Sequence, residues 1–341
     1  MKCIDDLLLG RDFSVRSAEI FFRSFLDKEG GEDHRKLILT LLQKKGEHAN
    51  ELVGLVRSIQ KIERRIPSAG VSYLVDGCGT GGDGTGTINI STIASIVAAG
   101  AGAYVAKHGN RSISSRSGSA DLLEALGVKI DASQGLMLKA LKKCGMGYFH
   151  APLYHPLFKT FQPVRNSLGR KGVRTIFNLV GPFVNPLRPK RQLIGAFSKR
   201  LVEILSQAAE KLNYEHVLIV WSYDGLDELT TTSKTFSIEL KQGRIKRNVV
   251  SPKQLCMPLG KRKELKGGNP RYNRNAAISI LNGKDKGTRY EVVILNAAAI
   301  LYVSGRAVDL HEGIQFAKRS IDSKAAKGVL ERLIKISHDI G

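Results

Sequence analysis

The chain has 341 residues, enough for one large and one small domain, and its hydrophobic content of 42% argues against global disorder. Four scattered cysteines without a CxxC pair argue against a disulfide framework or a structural zinc site, and they favour a reduced, cytoplasmic setting. The formal net charge of +22 is unusual and leaves two classes of protein open.

One class binds nucleic acid or another anionic surface, and the other is a globular protein with lysine-rich solvated faces. The basic clusters, such as those at 61–65 and 188–191, lie in separate segments of the chain. Aromatic residues make up only 6% of the sequence and show no pattern suited to stacking bases. We therefore favour the second class and keep nucleic-acid binding as the alternative.

Residues 1–66 are predicted to be helical throughout. Apolar residues recur at three- to four-residue spacing, and Ser14 and Ser17 are candidate N-caps for the first strongly amphipathic helix. Gly46 separates two further helices, and the pattern breaks between Pro67 and Gly70. This part of the chain is predicted to form a small helical bundle.

After residue 70, short apolar strands alternate with helices, as is typical of an α/β domain with a largely parallel sheet. Residues 88–106 carry no charge but are rich in small and hydroxylated side chains, so we expect a buried helix rather than a membrane span. Residues 155–180 are again helical and could return to the bundle. The strands are predicted at 71–79, 104–110, 145–152, 216–222 and, in "RYEVVILNAA", 289–298.

The fold class is therefore α/β, with a small N-terminal helical-bundle domain and a larger α/β domain with a mostly parallel central sheet. The helical domain is predicted to contain residues 1–70 with about 155–195. The α/β domain is predicted to contain residues 71–154 and 196–341.

The segment "GTGGDG" at 79–84 lies between a predicted strand and a predicted helix. Glycines there permit positive φ angles and let backbone N–H groups approach an anion at the helix N-terminus. The spacing fits neither GxGxxG with a later acidic residue nor GxxxxGK[ST], so a dinucleotide site and a P-loop are poor fits. The polar segment "TINIST" follows directly and strengthens the prediction of an anion site.

A second polar loop, "KHGNRSISSRSGSAD" at 107–121, also follows a strand and precedes a helix. Its cations and hydroxyls are hard to explain by packing, so we predict an anion site here as well. Two such loops leaving adjacent strands would converge at the carboxyl edge of the sheet.

These motifs, in order, resemble the anthranilate phosphoribosyltransferase family over almost the full chain. The resemblance also rests on "LEALGV" at 123–128, "YHP" at 154–156, "VRNSLG" with "GVRTIFNLVGPFVNP" across 164–186, "DGLDEL" at 224–229 and "NAAAILYVSG" at 296–305. It implies transfer of a phosphoribosyl group from phosphoribosyl pyrophosphate (PRPP) to the amine of anthranilate, with release of pyrophosphate, in tryptophan biosynthesis. It also implies a homodimer formed through the helical domain.

The resemblance implies a site that works by positioning and charge, without a covalent nucleophile, in which Lys107 and Arg165 matter most. It places magnesium, with two ions expected, at Ser91, Asp227 and Glu228. For anthranilate it implies Gly79, Asn110 and Arg165, with His108 and His155 near the same tunnel. The residues implied around PRPP are Gly79, Gly82, Asp83, Thr87, Asn89, Ser91, Thr92, Lys107, Ser115 and Ser119.

One departure from the family pattern precedes "DGLDEL". Relatives usually have His-Gly there, whereas this chain has Trp221 and Ser222. The bulk of Trp221 could alter the fit near the metal without removing the carboxylates.

Overall fold

The computed structural model describes residues 2–27, 31–63, 65–68, 70–112 and 116–339. Within these residues, seven strands form one sheet in the order β3-β2-β1-β4-β5-β6-β7. The first five strands in that order are parallel, and the last two are antiparallel. This confirms the mostly parallel sheet. The strands are β1 Leu74–Gly79, β2 Tyr104–Gly109, β3 Met146–His150, β4 Arg191–Gly195, β5 His216–Ser222, β6 Thr235–Lys241 and β7 Arg244–Val250.

Helices form the N-terminal bundle and cover both faces of the sheet. Four of them precede β1, which confirms the helical N-terminal part. They are α1 Lys2–Leu8, α2 Val15–Leu26, α3 Glu32–Lys45, α4 Ala49–Ile62, α5 Ile90–Gly100, α6 Ser119–Ala125, α7 Gln134–Cys144, α8 Ala151–Tyr154, α9 Leu157–Arg170, α10 Ile176–Val180, α11 Lys199–Lys211, α12 Pro270–Leu281, α13 Thr288–Ser304, α14 Leu310–Asp322 and α15 Ala325–Ser337.

Of the two candidate N-caps, Ser14 is the one that caps α2. Its hydroxyl oxygen accepts a hydrogen bond from the Ser17 backbone N–H at 3.1 Å. The uncharged segment 88–106 contains the buried helix α5. No helix in the described part of the chain is long and apolar enough to cross a membrane.

The prediction of a strand at 289–298 is wrong, because these residues belong to helix α13. The segment is rich in β-branched residues, which favours a strand. However, α13 is buried on almost every side, between the sheet, α5 and α14. An apolar run buried all round has no periodicity that separates a helix from a strand, and only its length of 17 residues favours the helix.

The antiparallel hairpin formed by β6 and β7 was not predicted from the sequence. Its two-residue turn is Gln242-Gly243, and both residues have positive φ angles, of 50° and 75°. A pair of positive φ angles matches the right-handed twist of a hairpin. The sequence signal for this hairpin turn was weak, because glutamine is not one of the usual residues at the first position of such a turn.

Two hydrophobic clusters lie on opposite faces of the sheet. Alternate residues of β5 separate them: Leu218 belongs to the first cluster, with α5 and α13, and Ile219 to the second. The second cluster joins the N-terminal bundle to α9, α10 and α11. Strand β4, near the end of the segment 155–195, pairs with β1 and β5 in the sheet. The exact division into two domains stays a prediction.

Gly54 allows α2 and α4 to cross in close contact. A Cβ atom at residue 54 would lie 2.4 Å from the Ala18 Cβ atom and 2.7 Å from the Ala18 carbonyl carbon. We predict that Gly54→Ala lowers the free energy of unfolding by about 1–3 kcal/mol, because the helices must move apart. Urea unfolding followed by circular dichroism measures this change.

The matched control is Gly169→Ala in α9, where nothing lies within 4 Å of the added Cβ atom. That variant should be neutral or slightly stabilised, since alanine has the higher helix propensity. Equal effects of the two substitutions would contradict the tight helix crossing.

Candidate active site

The candidate site lies at the carboxyl edge of the sheet, beside the central strand β1. Strands β2 and β3 lie on one side of β1, and β4 and β5 lie on the other. The chain therefore leaves β1 at the point where the strand order reverses. In open α/β sheets, ligands bind in the crevice at this topological switch point.

The glycine loop after β1 is in direct contact with Asp227. A Cβ atom at Gly79 would lie 2.3 Å from Asp227 Oδ2, and one at Gly195 would lie 1.5 Å from the Asp227 carbonyl oxygen. The Gly81 backbone N–H donates to Asp227 Oδ2 at 3.2 Å. The loop from β5 thus reaches the end of β1 because the ends of β1 and β4 carry no side chains.

Three carboxyl groups converge at this contact: Asp83, Asp227 and Glu228. Asp83 lies close to Asp227, and the Ser91 backbone N–H lies close to the Glu228 carboxylate. Burial, followed by the charge of Asp83, raises the pKa of Asp227, and burial with the charge of Asp227 raises that of Glu228. The cluster has an excess of negative charge that a cation would relieve.

Lys107 lies beneath the glycine loop and is almost fully buried, with 2% of its surface exposed. Its ammonium donates to the Gly77 carbonyl oxygen at 2.5 Å. Its charge favours the ionised forms of both Asp76 and Glu228, although burial still raises the pKa of each acid. Lys107 is therefore the cation that offsets the buried carboxylates at the end of β1.

The polar entrance to α5 is held in place by the segment 265–267. Thr87 forms an isolated antiparallel bridge with Lys266, and the Gly267 N–H donates to the Gly86 carbonyl oxygen at 2.8 Å. The side-chain amide of Asn89 donates to the Ser117 carbonyl oxygen at 3.0 Å. Thr92 is buried within α5, so its side chain is the least accessible of the predicted PRPP residues at this entrance.

The second polar loop packs beside the first. The Ser119 hydroxyl donates to the Asn110 carbonyl oxygen at 3.2 Å, and a Cβ atom at Gly109 would lie 2.1 Å from Ser119 Oγ. Arg111 forms ion pairs with Asp121 and Glu124, at 3.0 and 2.7 Å. The charge of Arg111 is therefore balanced by these two carboxylates. Ser115 lies outside the described residues, so its place at the site stays a prediction.

A cavity of about 260 Å³ adjoins the second loop. Asn110, His155, Phe158 and Gln162 are among the residues that line it. Its walls come from the loop after β2, from α8 and from one face of α9. This is the size and mixed polarity expected for a small aromatic ligand.

His155, His108 and Glu63 form a chain of hydrogen-bonding groups beside this cavity. The Nε2 atoms of the two histidines are 3.1 Å apart, and His155 Nδ1 lies 2.6 Å from Glu63 Oε2. Burial, followed by the charges of His155 and Lys107, lowers the pKa of His108 well below its usual value. His108 is therefore neutral at physiological pH.

Arg165 lies on α9, on the same face as Phe158 and Gln162. Its guanidinium carbon is 5.7 Å from the centre of the Phe177 ring. Within the described residues it forms no ion pair or hydrogen bond, and burial lowers its pKa. Arg165 is not one of the residues that line the cavity, but it lies one turn farther along α9 and is free to meet an anion there.

Two contributors to the site were missed at the sequence level. The Arg174 guanidinium hydrogen-bonds to the Gly82 carbonyl oxygen and stacks on Phe197 at 4.2 Å. The Asn273 amide donates to Asn89 Oδ1 at 2.9 Å. Arg174 lies within the quoted segment 172–186, whereas Asn273 follows Gly267-Gly268 and carries no local signal of its own.

The segment before "DGLDEL" departs from the family pattern without disturbing the acidic pair. Trp221 packs against the second hydrophobic cluster, on the face of the sheet that carries the helical bundle. The Ser222 hydroxyl donates to the Glu228 carbonyl oxygen at 2.6 Å and lies 2.9 Å from Thr235 Oγ1. Ser222 therefore stabilises the loop that carries Asp227 and Glu228.

The chain is similar to known proteins over most of its length. Residues 72–327 match the glycosyl transferase family, a/b domain. Over 314 residues the chain is 42% identical to the anthranilate phosphoribosyltransferase of Methanosarcina acetivorans, and the match covers 92% of this chain and 83% of that protein.

Two solved structures extend the similarity to the fold. The anthranilate phosphoribosyltransferase of Thermus thermophilus matches with a TM-score of 0.92 and 34% identity, over 99% of this chain and 100% of that one. The Saccharomyces cerevisiae enzyme in complex with PRPP and Mg matches with a TM-score of 0.84 and 25% identity, over 95% and 92% of the two chains.

The neutrality of His108 predicts a pH dependence of stability. An unfolded histidine gains a proton below about pH 6.5, while buried His108 does not. The unfolding free energy should therefore fall as pH decreases from about 7.5 to about 5.5, by up to about 1.4 kcal/mol per pH unit from this group. Urea unfolding at several pH values, compared between wild type and His108→Asn, measures the contribution.

In His108→Asn this loss should be absent, so the two stability curves should converge towards low pH. His34→Asn, on the exposed side of α3, is the control and should give a curve parallel to the wild type. A parallel curve for His108→Asn would show that His108 has the same pKa in the folded and unfolded states, and it would contradict the lowered pKa.

Proposed function

Because the chain belongs to the anthranilate phosphoribosyltransferase family, we propose that it transfers the phosphoribosyl group of PRPP to the amine of anthranilate in tryptophan biosynthesis. Pyrophosphate is the second product. The observation that carries this proposal is the contact of the glycine loop with the Asp227–Glu228 pair at the switch point of the sheet. That contact supports the proposal, because backbone amides that suit an anion lie beside carboxylate oxygens that suit a metal ion.

The PRPP site is assigned to the two polar loops and the entrance to α5. Backbone N–H groups of the glycine loop and the N-terminal end of α5 would bind the pyrophosphate. Lys107 adds a buried cation at the same end of β1. The other side chains assigned to PRPP are those of Asp83, Thr87, Asn89, Ser91, Thr92, Ser115 and Ser119.

Magnesium fits the donor set at this site. Asp227 and Glu228 are hard oxygen donors crowded by Asp83, and the charge of Lys107 favours the ionised form of Glu228. No three His, Cys, Asp or Glu side chains in the described part of the chain form a complete metal cage. This agrees with Mg²⁺, which uses few carboxylates and completes its shell with substrate phosphates and water.

Ser91, Asp227 and Glu228 are the residues proposed to hold Mg²⁺, with two ions bound in the presence of PRPP. The bound ions would supply charge that stabilises the leaving pyrophosphate. The yeast relative was solved with PRPP and Mg.

Anthranilate is assigned to the cavity of about 260 Å³ beside Asn110 and His155. Neutral His108 and the apolar ring of Phe158 suit an aromatic amine. Arg165 contacts the Phe177 ring but forms no ion pair or hydrogen bond among the described residues, and its planar guanidinium suits the carboxylate of anthranilate. Gly79, at the start of the glycine loop, is assigned to anthranilate as well as to PRPP.

The reaction needs no protein nucleophile. The bond from the anomeric carbon to pyrophosphate breaks, and a bond from the same carbon to the anthranilate nitrogen forms. The amine then loses one proton. The protein's part is to position the two substrates and to match the charge of the leaving group.

A homodimer formed through the helical bundle is part of the proposal. The bundle exposes large apolar side chains that a single chain leaves uncovered. They are Leu8, Leu9, Ile20, Leu37 and Ile62. Exposed apolar groups of this kind mark protein interfaces.

Nucleic-acid binding, the alternative, rested on net charge alone. Neither the family match nor the relatives support it. The cytoplasmic location remains a prediction from the cysteines and from the pathway.

The direct test of the function is loss of anthranilate fluorescence. With purified protein, PRPP and Mg²⁺, the fluorescence should fall, and EDTA should stop the reaction because the pyrophosphate loses its counter-charge. Unchanged fluorescence in the presence of Mg²⁺ would refute the proposed function.

Arg165→Ala tests the acceptor site. We expect the KM for anthranilate to rise about 10- to 100-fold with little change in the KM for PRPP, because one charge-assisted hydrogen bond to the carboxylate is lost. The control is Arg170→Ala, an exposed residue on the last turn of the same helix. An unchanged anthranilate KM in Arg165→Ala would remove this residue from the site.

Light scattering tests the dimer. The wild type should have twice the monomer mass of 37.3 kDa, and Ile20→Glu, at a residue that is 62% exposed, should shift the population towards monomer. Val308→Glu, at a residue 77% exposed outside the bundle, is the control. A monomeric wild type, or equal behaviour of the two variants, would contradict an interface at Ile20.

A further inference from the structure

A second cavity, of about 200 Å³, lies at the opposite edge of the sheet from the candidate active site. It adjoins the amino ends of β4 and β5, which begin at Arg191 and His216. Three cationic side chains line it: Arg65, Arg188 and Lys190. We call it the amino-edge cavity. Nothing in the proposed transfer reaction uses it.

The three cations have no carboxylate partner among the described residues. The charges of Glu63 and Glu215 act on Arg188 and Lys190, but each carboxylate forms its ion pair elsewhere: Glu63 with His155 at 2.6 Å and Glu215 with Arg191 at 3.2 Å. Arg65 is exposed and forms no hydrogen bond with any described residue. With three cations and two neighbouring carboxylates, the cavity carries a net positive charge.

Arg188 and Lys190 are held in place by helix ends. Arg188 Nη2 donates to the carbonyl oxygens of Gln60 and Glu63, at 2.7 and 3.0 Å, in the last turn of α4. Lys190 Nζ donates to the Leu212 carbonyl oxygen at 2.6 Å, at the end of α11. Arg188 uses only Nη2, and Lys190 uses one of the three N–H groups on Nζ, so donors remain on both side chains for a ligand. The helix ends also fix the two cations before any ligand arrives.

The backbone at Arg188 supports a functional interpretation. Its φ angle is 50°, in the left-handed region that residues with a side chain adopt rarely. Strained residues of this kind cluster at ligand sites. Burial and the charge of Arg65 both lower the pKa of Arg188 and of Lys190, as expected where like charges are crowded together.

We propose that the amino-edge cavity binds a small phosphate-type oxyanion between Arg65, Arg188 and Lys190. Arginine and lysine together are the usual ligands of phosphate, with arginine giving paired hydrogen bonds. The volume holds one phosphate group with a small attachment. The anion is either free inorganic phosphate or the phosphate group of a phosphorylated metabolite, and this site is separate from the PRPP site.

The first test locates the anion directly. Crystals of the full-length protein soaked in tungstate, an anomalous scatterer shaped like phosphate, should show a peak between Arg65 and Lys190 as well as any peak at the glycine loop. A peak at the glycine loop alone would overturn the proposal. It would mean that the cations serve only to neutralise the ends of α4 and α11.

The second test uses inorganic phosphate in calorimetric titrations of the full-length protein. Wild type should show two binding sites, and Arg65→Glu should weaken the amino-edge site at least about tenfold by removing one charge-assisted contact and adding repulsion. Arg65 makes no structural contact, so this variant should keep the wild-type thermal midpoint and KM for PRPP. Arg332→Glu, the same charge change on α15, should bind phosphate like the wild type.

Equal phosphate binding by Arg65→Glu and Arg332→Glu would overturn the proposal. If Arg65→Glu lowers the thermal midpoint, Arg65→Gln provides the same comparison without charge reversal. Ribose 5-phosphate separates the two sources of the anion. Affinity equal to that of inorganic phosphate assigns the site to free phosphate, and tighter binding that Arg65→Glu abolishes assigns it to a phosphorylated metabolite.

Discussion

The close approach of Asp227 to the ends of β1 and β4 is the constraint on which the site depends. The two strands end in Gly79 and Gly195, and any side chain there would overlap with Asp227. Because both are glycine, the loop after β5 folds over the sheet edge and meets the glycine loop. The Gly81 N–H then donates a hydrogen bond to the Asp227 carboxylate. Acid groups and the backbone amides of the glycine loop thus share one crevice without an intervening side chain.

The charges in this crevice are balanced only in part. Lys107 lies beneath the loop with its ammonium on the Gly77 carbonyl oxygen, where it favours ionisation of Asp76 and Glu228. The loop that carries Asp227 and Glu228 is stabilised by two side-chain donors. Ser222 donates to the Glu228 carbonyl oxygen, and Asn296 donates to the Leu229 carbonyl oxygen. Holding like charges together in a preorganised site lowers the stability of the folded protein. Binding of a cation and an anionic substrate offsets this loss of stability.

Local signals in the sequence were enough to predict much of this arrangement. Glycines between a strand and a helix marked the first loop, and clustered hydroxyls marked the second. Strand β5 was predicted with its observed bounds. By contrast, α13 was mistaken for a strand because burial on all sides removes the helical periodicity. Contacts between distant segments, such as Arg174 with Gly82 and Asn273 with Asn89, left no local pattern. The roles of Asp227, Glu228 and Arg165 came from family resemblance, since an isolated Asp-Glu pair is more often a solvated loop.

The most direct test of this account is the binding of PRPP with Mg²⁺ to Gly79→Ala, measured by calorimetry. The added methyl group would overlap with the Asp227 carboxylate, so the account predicts that affinity falls at least about tenfold while the helical bundle stays folded. Gly169→Ala, where the methyl group meets nothing within 4 Å, should bind as the wild type does. Wild-type affinity in Gly79→Ala would contradict the claim that the Gly79–Asp227 contact builds the site.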